Sequence, residues 1–313
     1  MLPSTPVTVL GLGDAGLDLV LRVPRLPRHD EKILAASVDR YPGGVVANVL
    51  CALSRLGTRS GFVGCLGDDE FGTLVRGSLS DAGVDLSRLL VKKGERTYFS
   101  VSLLDDTGEK ALVIAPTSTI FPGPEDVLDE TVKGADLLHT TALRIDTTLK
   151  AIALARRHGL EVSVDLEPST LQQGREGVWQ VLAATQLLFV NRHAVRMIFP
   201  SNIGARHAGL ELLKHGPTTV VLTLGDEGSL VVTDQHTVHT PAFPVPVRDT
   251  TGAGDCFNAA FIHGYLRAWP IEQTALFATA AAALSIMAVG AQTGQPGPDE
   301  VSAFLESWGH PPG

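Results

Sequence analysis

The sequence predicts an α/β chain: a mainly parallel sheet with helices on both faces. Three observations carry this. Short apolar or β-branched runs alternate with segments of helical period, and glycines follow several of the helical segments as stops. The third is bulk: 313 residues, 44% hydrophobic and 19% charged, supply a large core and too little charge for a disordered chain.

Each element follows from its local pattern. VTVLGLG (residues 7–13) is a strand, and after Gly44 the run VVANVLCALSRLG has helical spacing and stops at Gly57. SGFVGCLG is a short strand, followed by a helix over Glu70–Ala82 closed by Gly83. Residues 135–140, 160–166, 186–190 and 218–224 are continuously apolar or β-branched, as strands buried on both faces require. Helices are expected over Thr147–His158 and Ala205–His215, with Gly159 and Gly216 behind them, and from about Asp255 to Ala268. Residues 17–40, with Pro24 and Pro27, alternate apolar and polar; residues 96–115 read as two strands around a turn at Asp106-Thr107-Gly108. Both are expected to be antiparallel strands that pair as a small sheet, a lid over the strand ends of a single domain spanning 1–313.

Composition narrows function. Twenty-five Lys and Arg against 34 Asp and Glu give a net charge of -9, which repels nucleic acid and anionic membrane. Cys51, Cys65 and Cys256 are too few and too scattered for a disulfide framework or a cysteine metal site. The start lacks a basic, apolar export signal, so the expected location is the cytoplasm. Gln273–Pro298 carries no charge, but it is Ala-rich, contains Thr274, Thr279, Ser285 and Gln292, and breaks at Gly290 and Gly294, which reads as a buried helix rather than a membrane span.

Gly11-Leu12-Gly13-Asp14-Ala15-Gly16 spells a GxGxxG, yet the period-two run and prolines behind it allow no helix to hold a pyrophosphate. Those glycines are instead expected to turn the chain and expose Asp14 and Asp18 at a strand end. No Walker A loop occurs. The strongest pattern is DTTGAGDCFN (Asp249–Asn258). Small residues Gly252, Ala253 and Gly254 lead into a helix whose first amides would form an anion hole. Asp255 there is either a proton acceptor for a hydroxyl that attacks a phosphoryl group or an ordinary helix N-cap; the pattern alone supports both.

DTTGAGDCF (Asp249–Phe257), GGVVANVLCALSRLG (Gly43–Gly57), VGCLGDDEFG (Val63–Gly72), TLGDEG (Thr223–Gly228) and GDAGLD (Gly13–Asp18) together resemble the ribokinase-like (PfkB) carbohydrate kinases over nearly the whole chain. The resemblance implies a three-layer αβα fold with a small β-sheet lid, and an ATP-dependent sugar kinase. It implies Asp255 as base and Gly252, Ala253 and Gly254 as the hole for the γ-phosphoryl. Asp18 and Asn48, with backbone at Gly43 and Gly44 and with neighbouring Asp14, would contact sugar hydroxyls. Asn191, Thr223, Gly225 and Gly228 would lie along Mg-ATP. Asp249 with the carbonyls of Thr251, Ser285, Ala288 and Gly290 would hold a monovalent cation such as K+.

Two departures matter. The family's NxxE reads Asn191-Arg192-His193-Ala194, so Asp165 or Glu167 is a candidate to face Mg2+, unless both are solvent-exposed loop acids. A sugar-contacting glutamate is replaced near Ala142, so ribose is not the safe expectation. Arg144, and His139 with it, would suit an acidic acceptor, or else be a surface arginine and a satisfied core histidine. A nucleoside kinase would want aromatic faces, and only Tyr41, Tyr98 and Phe99 lie near the lid. A catalytically impaired sugar-binding protein is the third reading. Exposed lid edges would suit a homodimer.

Overall fold

The computed structural model describes residues 8–105, 110–115, 117–199 and 203–310. Its larger sheet is built from β1 (Thr8–Leu12), β4 (Arg59–Gly67), β5 (Leu89–Lys92), β8 (Leu137–Thr140), β9 (Glu161–Leu166), β10 (Leu187–Asn191), β11 (Thr219–Thr223), β12 (Ser229–Val232) and β13 (Thr237–Thr240). The order is β13-β12-β11-β10-β9-β8-β1-β4-β5. From β11 to β5 every pairing is parallel; β12 and β13 add an antiparallel edge.

Alternate residues of each strand feed opposite faces. Val9, Phe62, Phe189 and Val221 face one core, against α1 (Val45–Arg55), α2 (Glu70–Asp81), α9 (Ala253–Tyr265), α10 (Ile271–Ser285) and α11 (Pro298–Ser307). Leu10, Leu188, Val190 and Leu222 face the other, against α4 (Ile145–Arg157), α6 (Arg175–Leu182), α7 (Arg192–Ile198) and α8 (Ala205–Leu213). Short helical turns α3 (Asp129–Val132) and α5 (Pro168–Leu171) complete the three layers. The uncharged stretch holds α10 from Gln273 on, and α10 stops at Ser285; among the described residues no helix is long and apolar enough to cross a membrane.

A second, smaller sheet has the order β3-β2-β6-β7, with β2 (Gly16–Val23), β3 (Ser37–Gly43), β6 (Phe99–Asp105) and β7 (Lys110–Ala115). Its outer pairs are antiparallel as expected, but the central pair β2·β6 is parallel, which corrects the all-antiparallel expectation. The reason is where the strands begin. Leu17 N–H donates to Tyr98 O at 3.2 Å, so β2 and β6 start side by side at the large sheet and run outward together. The expected turn at 106–108 lies outside the described residues, as does residue 7.

The chain leaves β1 for β4 and β5 on one side, then returns to β8 on the other. That reversal opens a crevice at the carboxyl ends of β1 and β8, where open α/β sheets bind ligands. As expected, the GxGxxG leads into a strand and not a helix. Its first glycines do more than turn the chain: Gly11 and Gly13 lie directly beneath Val46 and Leu50 of α1.

Candidate active site

Helix α9 starts at the crevice because Gly252 sits in the left-handed region, φ 77°, where an L side chain is strained. A Cβ there would also lie 2.8 Å from Ala291. The turn is tied down by Asp249. Its Oδ1 accepts from Thr251 N–H at 2.9 Å and Thr251 Oγ1 at 2.7 Å, and its Oδ2 accepts from Gly290 N–H at 2.9 Å. Asp249 N–H meets Ile286 O at 3.3 Å, so Asp249 and Thr251 are drawn to the segment carrying Ser285, Ala288 and Gly290. The Ala253 N–H is turned back onto Thr250 O at 3.2 Å, which takes it out of the expected anion hole, and Cys256 N–H is bonded to Gly252 O at 2.9 Å; the amides between them, at Gly254 and Asp255, stand at the favourable end of the helix dipole. Nothing lies within 4 Å of where a Cβ on Gly254 would stand.

Gly252 occupies the N-cap position, so Asp255 is not the cap. Its carboxylate instead accepts from Asn48 Nδ2 of α1 at 2.7 Å across 207 residues of sequence. Burial pushes its pKa from 3.8 up to about 8; the Asn48 bond opposes the shift, and the negative charges of Glu167, Asp14 and Asp18 add to it.

Asn48 is buried one turn into α1, whose start is held from outside. The Asp14 carboxylate accepts from Val45 N–H at 3.0 Å and Val46 N–H at 3.3 Å, replacing the cap that Gly44 lacks. Asp14 is therefore buried, 7% exposed, and not displayed at the strand end as the sequence suggested; burial raises its pKa. Asp18 stands on β2, where its Oδ1 accepts the Ser100 hydroxyl proton. A Cβ on Gly43 would stand 2.3 Å from Asp18 Oδ2, so this position must be glycine for the carboxylate to lie there.

Asp165 is the penultimate residue of β9 and is buried; its Oδ2 accepts from Asn258 Nδ2 at 2.8 Å. It is thus no solvent-exposed loop acid. Burial, then the charges of Glu167 and Asp255, raises its pKa well above the usual range, and burial and Asp14 raise that of Glu167 at the start of α5. Asp14, Asp165, Glu167 and Asp255 therefore act on one another as a single patch of crowded negative charge. Asn258 escaped sequence reasoning. The available signal was its place three residues after Asp255 on the same helix, which puts both on one face. Gln292 and Gln295 escaped it too, although they bond Asn48 through its side-chain oxygen at 3.0 Å and its carbonyl at 2.8 Å.

Farther along the sheet, Asn191 and Thr223, the residues expected along ATP, are register partners at the ends of β10 and β11. Asn191 Oδ1 caps α7 through Ala194 N–H at 2.8 Å, and Ala194 is fully buried in the core. Gly225 and Gly228 frame the turn into β12. Arg144 precedes α4 and pairs with Asp146 at 3.4 Å. His139 does not reach the crevice: it is fully buried, bonded to Ser163 at 3.0 Å and set against Phe189, and burial lowers its pKa to about 3. Cys256 is buried with its pKa pushed up to about 12, no nucleophile.

The profile of the pfkB family carbohydrate kinases matches residues 8–298. The chain is 33% identical over 299 residues to the ATP-dependent ribose-1-phosphate kinase of Halopiger xanaduensis, covering 96% of this chain and 98% of that one. It is 27% identical to the nucleoside kinase of Methanothermobacter thermautotrophicus, covering 97% of each. The structure of Arabidopsis thaliana ribokinase complexed with ribose and ATP superposes with a TM-score of 0.84 at 25% identity, over 96% of this chain and 99% of that one. An αβα sandwich with a separate small sheet, an acid-lined crevice at its switch point and this breadth of similarity agree: the chain belongs to the pfkB family of carbohydrate kinases, enzymes that transfer phosphate to a hydroxyl group.

Proposed function

We propose that the protein is an ATP-dependent sugar kinase that moves the γ-phosphoryl group of ATP to a hydroxyl of a monosaccharide or sugar derivative. The observation that carries this reading is the Asn48–Asp255 contact beside the first amides of α9. It supports a proton acceptor and an anion hole at one helix start. Asp255 takes the acceptor hydroxyl proton as that oxygen bonds to the γ-phosphorus; the bond from phosphorus to the bridging oxygen breaks, and ADP leaves with that electron pair. Amides at Gly252 and Gly254 carry the charge on the transferring group, while Ala253, whose own N–H is bonded to Thr250 O, shapes the turn between them. Asp18 and Asn48, with backbone at Gly43 and Gly44, orient the acceptor, and Asp14 shapes that pocket by fixing the start of α1.

Asn191, Thr223, Gly225 and Gly228 line the path for ATP. Mg2+ would neutralise charge between the phosphates. Among the described residues no three acids, histidines or cysteines form a metal cage, which suits an ion held mainly by phosphate and water. Glu167 and Asp165 are the carboxylates to face it, and their crowding is what a divalent cation relieves. The Asp249 turn with Thr251, Ser285, Ala288 and Gly290 would take K+.

Tyr98 favours a sugar over a nucleoside acceptor, because its ring is buried against Gly16 and offers no face for a base. Arg144 would meet an acidic substituent, and the ribose-1-phosphate kinase relative makes a sugar phosphate worth testing first. The small sheet would serve as a lid over the acceptor. Its exposed Val38, Leu112, Val113 and Ile114 support pairing of two such sheets in a homodimer, which light scattering after size exclusion tests: a monomer at micromolar concentration refutes it.

A coupled assay of ADP release across ribose 1-phosphate, ribose, fructose, sugar acids and nucleosides tests the function. Turnover on a sugar or sugar phosphate supports it. Turnover on nucleosides alone gives the nucleoside kinase, and none, with sugar binding intact, gives the impaired binding protein that Ala194 allows.

A further inference from the structure

Asn48 does not meet Asp255 alone. Its side-chain oxygen accepts from Gln292 Nε2 at 3.0 Å, and Gln292 Oε1 accepts the Ser78 hydroxyl proton at 2.7 Å. With the 2.7 Å bond from Asn48 Nδ2 to Asp255, this makes an unbroken chain from α2 to the carboxylate. Each link has a direction, because an amide presents hydrogens at one end and lone pairs at the other, while an ionised carboxylate only accepts. Asn48 and Gln292 are 4% and 6% exposed, so water offers few substitute partners. The loop bearing Gln292 is itself fixed: Gln295 Nε2 donates to Asn48 O at 2.8 Å, and the Arg55 guanidinium donates to the carbonyls of Gln292 and Gln295.

We propose that Gln292 is a positioning residue for phosphoryl transfer, which orients the Asn48 amide so that its hydrogens, and not its oxygen, face Asp255. An Asn48 turned the other way would set an oxygen against the carboxylate and release it from the orientation that presents its second oxygen to the acceptor. Ser78 closes the chain at the far end, on the rim of an open groove of about 500 Å3 lined also by Arg55, Thr73 and Asp81; its hydroxyl can donate or accept, so an acceptor-only group there would reverse the chain. The inference rests on Asp255 being the proton acceptor.

Two substitutions at Gln292 separate direction from packing. Gln292→Glu keeps the shape and replaces the donor by an acceptor, so Asn48 must turn its hydrogens toward it. Gln292→Met keeps the length and removes both polar ends. The expected kcat falls about 30-fold or more for Glu and about 3- to 10-fold for Met, with the nucleotide KM within about twofold. Simple packing predicts a different pattern, in which losses follow the melting temperature and a carboxylate is no worse than a thioether. Ser78→Asp works from outside the site: it draws the Gln292 amide hydrogens toward α2 and should lower kcat about tenfold, against about twofold for Ser78→Ala.

The proposal is overturned by a Gln292→Glu enzyme within about threefold of wild-type kcat, by Met being worse than Glu, or by losses that track stability. If neither Gln292 variant folds, Ser78→Asp decides, and wild-type kcat in the folded protein overturns it. Asp255→Asn is measured alongside. Full activity there removes the base itself; an inactive Asp255→Asn beside unaffected Gln292→Glu and Ser78→Asp removes only the positioning role.

Discussion

Replacing Asp255 by Asn should cripple turnover and at the same time strengthen the fold. Asn keeps an oxygen to accept from Asn48 at the observed 2.7 Å, so local geometry survives while the proton acceptor is lost. A lost general base costs about 10²- to 10⁴-fold in kcat. Stability moves the other way. The folded pKa of Asp255 is about 8 against 3.8 for a free aspartate, so the folded state binds the proton more tightly than the unfolded state. The linkage sign is then fixed: this group's contribution is most favourable below about pH 4 and declines as pH rises, levelling off above about 8. The whole shift corresponds to a ceiling of about 6 kcal/mol, and partial hydration of the carboxylate brings the expected cost at pH 8 to about 1–3 kcal/mol. Removing the charge should recover that amount. Urea unfolding at pH 5, 7 and 9, run beside a coupled ADP assay, measures both effects. A variant with turnover within tenfold of wild type, or one whose stability falls with pH as steeply as the parent's, refutes the reasoning.

The same shift sets a pH profile: kcat/KM for the acceptor should rise about tenfold per pH unit through the acid side and flatten near pH 8, and a plateau already reached at pH 6 would contradict it. Gly252→Ala places a Cβ 2.8 Å from Ala291 at φ 77°; it should cost about 1–3 kcal/mol and lower kcat at least tenfold by displacing the α9 amides, as read by melting temperature and steady-state kinetics. Asp14→Ala removes two bonds to the start of α1 and should destabilise by about 1–2 kcal/mol in urea, with Asp14→Asn milder because one acceptor remains.

What the sequence disclosed was what neighbours in sequence decide. The start of α9 was legible because Gly252–Gly254 precede an apolar helical run, and the end of α1 because Gly57 follows one. Contacts between distant segments were not. Asn48 and Asp255 were each marked by motif, but their bond spans 207 residues. The Asp14 cap on α1 arrives from 31 residues upstream, so the carboxylate read as an exposed strand-end acid when it is a buried structural one. The parallel β2·β6 pair followed from where both strands leave the large sheet, which alternation within a strand does not encode. Short β12 and β13 were missed because four residues each give too little pattern to separate strand from turn.

Only Gly44 stands between the last residue of β3 and the first of α1, the helix that carries Asn48. Any swing of the smaller sheet must therefore torque the residue that grips Asp255. Were the smaller sheet the cover and Asp255 the base, seizing the acceptor and aligning the base would become one mechanical event about a single joint, and a spacer spliced in beside that glycine would let the cover shut without cocking the chemistry beneath it.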